Sequence, residues 1–128
     1  MRTHVSTAVD DAALAPLTAV IDEQIHCAET LLTTLEREAQ ALERGDIDAL
    51  NGAGADKVKL VEALDALERE RRALTALASP SVRLSLDDRW RRLLSLTERM
   101  KAEKARNGAH VDARRRRVLA ALKLLRGV

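Results

Sequence analysis

Histidines, a lone cysteine and a run of arginines are the residues of this chain best equipped for chemistry. His26-Cys27 places a base beside a nucleophile in sequence. Neighbours on a helix point about 100° apart, however, so the two cannot form a working pair. His4, His26 and His110 are too scattered to assemble a metal site, which needs further ligands at fitting spacings. No Gly-rich phosphate loop occurs. The residues therefore predict no catalytic group, no metal and no cofactor, and Cys27 reads as a small buried or half-buried filler. A single cysteine also excludes a disulfide framework and fits a reducing cytoplasm.

The second candidate is the stretch RNGAHVDARRRRVLAALKLL, Arg106 to Leu125. Asn107-Gly108 is a strong turn signal, and Arg114 to Arg117 could contact nucleic acid. Together they would make a hinged basic arm. Helical phase argues otherwise. With Leu93 at zero and about 100° per residue, Met100 falls near −20°, Val111 near 0°, Val118 near −20° and Leu122 near +20°. The apolar face before Asn107-Gly108 continues in phase after it, which a turn would have no reason to preserve. Relative to Val111, Arg114 to Arg117 sit near −60°, +40°, +140° and −120°, circling the axis. Arg114 and Arg115 flank the apolar seam, where their stems can cover it and their heads can reach acidic neighbours. Nucleic-acid binders concentrate charge on one face and use aromatics to stack single strands. This chain has no Phe or Tyr, and Trp90 is its only aromatic. Trp90 lies about 60° from the seam centre and reads as an anchor onto the preceding helices.

The elements that must position these residues are helices. At 128 residues the chain suits one domain. Hydrophobic residues make up 46% and charged ones 33%, with few Gly and Pro, the palette of long helices and coiled coils. Residues 1–13 lack a sustained pattern and read as a flexible tail that is neither signal peptide nor membrane span. Leu14, Ile21, Ala28, Leu35 and Leu42 then recur every seven residues, with Ile25, Leu32 and Ala39 as companions. Pro16 is tolerated only in a first turn, which starts this helix near Ala15. Arg44-Gly45 ends it, and Asp46 offers the next N-cap. A short turn, a break at Asn51-Gly52-Ala53-Gly54, and a second helix over about 55–78 follow, with Leu60, Leu64, Leu67, Leu74 and Leu77 as its stripe. Ser79-Pro80-Ser81 terminates it. Ser85-Leu86-Asp87-Asp88 reads as a capping box opening a third helix of about 86–125. The expected fold is all-α: an elongated antiparallel bundle or coiled coil of three long helices over residues 14–128. Residues 1–82 hold 8 Lys/Arg and 15 Asp/Glu, net −7, whereas residues 83–128 hold 14 and 5, net +9. This split predicts that the basic third helix lies beside the acidic pair, in one molecule or across a dimer, with charge choosing the orientation.

On these elements the chain resembles the FlgN-type flagellar export chaperones. The local matches are GDIDAL at Gly45 to Leu50, then Ala105 to Val111 with Val118 to Leu125. Typical of the family are an Asn-Gly followed by two aliphatic residues and a Leu-rich ending. His110 stands where an aliphatic is usual, and Asn51 to Gly54 is unusually glycine-rich. The resemblance implies a cytoplasmic, ATP-independent escort. It would bind hook–filament junction proteins by their C-terminal helical segment and deliver them to the flagellar export apparatus. The partner-binding residues it points to are Val111, Arg114, Arg115, Val118, Leu122 and Leu125, acting by helix-in-groove packing. Two other readings compete. One is a structural coiled-coil module that self-associates without an export client, and the other, weaker one is a nucleic-acid-binding protein.

Overall fold

The computed structural model describes the backbone of residues 2–127 and the side chains of residues 12–127. The chain is all-α, with no strand among the described residues. The described residues form four helices where the sequence predicts three: α1 (Arg2–Arg44), α2 (Ile47–Leu77), α3 (Pro80–Ser85) and α4 (Asp87–Gly127).

α1 is the central element, and both α2 and α4 pack on it. Asp56 and Lys57 of α2 meet Arg37 and Glu38, while Glu68 meets Gln24. Partner positions thus fall along α1 as α2 advances. On α4, Arg89 meets Asp22 and Arg114 meets Leu42, so partner positions rise together. Two cores result. Ala13, Leu17 and Ile21 cluster with Ala78, Val82 and Leu86, and Ala28 and Leu32 cluster with Leu93 and Leu96.

The helix start expected near Ala15 lies instead at Arg2, and Pro16 sits inside α1. An interior proline costs about 3 kcal/mol. Ala13 and Leu17, on either side of it, are both buried in the first core, and their packing offsets that loss. The tail expected over residues 1–13 starts with Met1, outside the described residues; from Arg2 its backbone is helical and continuous with α1.

Gly45 closes α1 as predicted, at φ 65°. Its N–H bonds the Leu42 carbonyl at 3.3 Å, and the Asp46 N–H bonds the Ala41 carbonyl at 3.0 Å, the paired bonds of a Schellman cap. Asp46 also starts α2, accepting the Ala49 N–H at 3.0 Å. The break expected at Gly52 to Gly54 does not form, and α2 runs through it. Ala53 between the glycines is completely buried, which keeps the helix wound there. Leu60, Leu64, Leu67 and Leu74 are half-buried, but Leu77 is exposed and leaves the expected stripe.

Ser79-Pro80-Ser81 ends α2 and starts α3 at once. Ser79 caps the Val82 N–H at 3.2 Å, with Pro80 in the first turn. The capping box expected at Ser85 is not made. Its hydroxyl donates back to the Val82 carbonyl at 2.8 Å, and Leu86 is the hinge between α3 and α4. α4 then continues through Asn107-Gly108 without interruption, as the phase argument predicts.

Candidate functional site

No group of three His, Cys, Asp or Glu side chains is placed to hold a metal among the described residues. His26 is exposed and Cys27 buried, so the adjacent pair faces different surroundings. The Cys27 thiol donates to the Leu60 carbonyl at 3.6 Å, and burial raises its pKa. The side chain of His4 lies outside the described residues. No helix searched is long and apolar enough to cross a membrane.

The side chains that fix α4 are polar as well as apolar. Leu86, Leu93, Met100, Asn107 and Arg114 recur every seven residues along the line facing α1. Leu86 and Leu93 are buried and Met100 is half-buried. Asn107 is buried, and its Nδ2 donates to the Leu35 carbonyl at 3.0 Å and to Glu38 Oε1 at 2.8 Å. Glu38 Oε2 accepts from Lys57 Nζ at 2.6 Å. One carboxylate therefore links all three long helices. Asn107, which looks in sequence like half of a turn, pins α4 to α1 through these two bonds.

A second polar tie lies near the other end. Glu68 accepts from Gln24 at 2.9 Å and from Arg71 at 2.5 Å and 3.1 Å. These bonds, Arg71 first, lower the Glu68 pKa to about 2. The Arg71 guanidinium stacks 4.5 Å over the Trp90 ring, so Trp90 does anchor α4 to its neighbours.

Past Asn107 the surface changes character. Arg114 Nη1 donates to the Leu42 carbonyl at 3.3 Å, capping the negative end of α1. A Cβ at Gly45 would come within 3.1 Å of the same guanidinium. Arg114 thus reaches the end of α1 with its guanidinium while the residue remains exposed. Arg115 lines one concavity, with Ile47, Leu50 and Val111. Arg117 lines another on the opposite side, with Glu43 and His110. The arginines do circle the axis.

From Arg114, α4 runs on past the α1–α2 turn for roughly 20 Å. Val111, Val118 and Leu122 are 41%, 54% and 43% exposed, and Leu125 is 72% exposed. Of the expected partner-binding residues, Val111, Arg115 and Val118 meet in one concavity of about 460 Å³, together with Arg114. Leu122 and Leu125 lie beyond it on the projecting end. Two contributors escaped the sequence reading: Ile47 and Leu50 on the first turn of α2, which form the facing wall. Their signal was the capped start at Asp46, since Ile47 follows it directly and is 70% exposed.

The arrangement offers an apolar strip edged by arginines on a helix end that nothing among the described residues covers. It suits an amphipathic helical partner and supplies no reactive group. No curated protein and no solved structure matches this chain. The family model described as FlgN protein matches residues 13–128, nearly the whole length. The chain belongs to the FlgN family.

Proposed function

We propose that this protein is a cytoplasmic export chaperone that binds hook–filament junction proteins and delivers them to the flagellar export apparatus. Membership of a family of flagellar export chaperones supports the general role. The single observation that carries the specific reading is the uncovered end of α4, where Val118, Leu122 and Leu125 stand exposed beyond the Arg114–Leu42 hydrogen bond and Val111 stands exposed just before it. Exposed apolar side chains gathered on one projecting helix mark a protein-binding surface. Residues 113–127 carry six Lys/Arg and no Asp/Glu, which selects a partner segment with an acidic flank. Arg115 contributes to that selection directly. Arg114 holds the helix end in place through Leu42 and acts on the partner through its stem.

The test is capture of a junction protein by the full chain and by a chain ending at Arg117. The truncation spares Asn107 and Arg114, so the docked part of α4 keeps its anchors. Loss of capture with the remaining helix intact is expected; capture by the shortened chain would move the site elsewhere. Self-association through the same strip is the second reading, and the exposed leucines favour it. A concentration-dependent dimer in sedimentation that excludes the junction protein would select it. Binding to nucleic acid with a steep salt dependence would instead favour the third.

A further inference from the structure

α2 and α4 both rest on α1, and a valley runs between them. It holds two concavities in line. The first, about 390 Å³, has Leu31, Leu35 and Met100 as its floor and Val58 and Val61 as one wall. The second is the 460 Å³ concavity between Ile47 and Val118. Helical phase joins them. On α2, Ile47, Leu50, Gly54, Val58 and Val61 share one stripe, and on α4 Lys104, Gly108, Val111 and Arg115 share another.

The glycines stand between the two concavities. Gly54 and Gly108 lie inside helices, have no positive φ, and a Cβ added at either would meet nothing within 4 Å. Each costs about 1 kcal/mol against alanine. Nothing among the described residues uses the space they leave open. A helix backbone laid in the valley would use it, because glycine permits close approach.

We infer that this valley receives one amphipathic helix with an acidic edge, which completes a four-helix bundle on α1. The inference rests on the chaperone reading for the identity of its natural occupant. The charge of the walls decides the class of that occupant. α4 meets α1 with Arg89 on Asp22 and Arg92 near Glu29, so that flank is neutralised. On the valley flank, Lys104 and Arg115 form no ion pair among the described residues, and Lys101 reaches only Glu98. Glu62 is the one acid on the rim of the first concavity, and Asp46 in the second is committed to the Ala49 N–H. An acidic edge is the missing complement. A second copy of this chain does not supply it from its most exposed apolar segment, since residues 113–127 carry no Asp or Glu. Along α2 from Ile47 to Val61 the valley accommodates about fourteen residues of helix.

Gly54→Leu and Gly108→Leu test this, because each fills the waist with a better helix former at an open position. The probe is a fluorescent synthetic helix with leucine and alanine on one face and glutamate along an edge, followed by polarisation. Wild type should bind it and prefer it to a lysine-edged version. Both variants should keep or raise their thermal midpoint and bind roughly tenfold more weakly. No binding by wild type, equal binding of the two probes, or unchanged binding by the variants would each overturn the valley. So would a wild-type dimer that Gly54→Leu dissociates, which would give the surface to a second copy. Capture of a junction protein, measured in parallel, separates the two claims. If it survives both leucine variants but not Val118→Asp with Leu122→Asp, the valley fails and the chaperone reading stands. If wild type binds the acidic helix but captures no junction protein, the valley stands and that reading fails.

Discussion

Asn107 shows how one side chain can be misread from its neighbours and still be decisive. Next to Gly108 it has the letters of a turn, yet it donates two hydrogen bonds from a buried position. Asn107→Ala leaves Glu38 Oε1 without its donor from α4 and should cost about 1–3 kcal/mol in chemical denaturation. Asn51→Ala, on an exposed stretch of α2, should stay within about 0.5 kcal/mol. Equal effects would mean that Asn107 is not a pin. Glu68 makes a pH prediction. Its folded pKa of about 2 lies below its ordinary 4.5, so its stabilisation is complete above the higher value and fades as pH falls toward the lower. Glu68→Gln should therefore lower the thermal midpoint near neutral pH and narrow the gap to wild type between pH 4.5 and 2. A constant gap across that window would detach the pairing from stability. The ties of Asn107 to Glu38 and of Glu68 to Gln24 were not legible, because partners 69 and 44 positions away leave no local pattern, whereas the Glu68–Arg71 pair lies at ordinary helical spacing.

At the scale of elements, helix identity was legible and helix company was not. The stripe from Ile21 through Leu42 is buried as the seven-residue spacing predicts. A second stripe on α1, through Leu17, Gln24, Cys27, Leu31, Thr34, Glu38 and Ala41, is buried too. Its polar letters hid it, and it exists because α1 serves two neighbours. The seam of α4 also departs from the expected line. A straight 3.6-residue phase points to Val111 and Leu122, whereas the contact line follows a strict seven-residue step through Asn107 and Arg114. The two lines drift apart by about 20° per heptad. Val111 and Leu122 are left in the open, and Leu93, before the drift accumulates, is buried by either rule. Leu93→Ala should cost about 2–5 kcal/mol, whereas Leu122→Ala should hardly move the thermal midpoint. A silent Leu93→Ala would show that α4 is not docked through this seam.

Over the whole molecule, the division into an acidic front and a basic back was legible as a charge count, and the structure uses it sparingly. Arg89–Asp22 and Arg92–Glu29 orient α4 on α1, but both pairs are about half exposed, so they guide more than they stabilise. Most of the positive charge on α4 lies beyond these pairs, toward the projecting end. Which partner uses that surface was not legible from charge or periodicity, since any bundle helix shows the same stripe; it enters through the family. If the uncovered end of α4 holds a junction protein, as proposed, the double variant Val118→Asp with Leu122→Asp places two charges in the middle of that contact. Both side chains stand about half exposed, so charging them should leave helix content by circular dichroism unchanged. Capture of the junction protein by this variant, read beside wild type, should be lost. Undiminished capture by a folded variant would place the binding surface elsewhere on the protein.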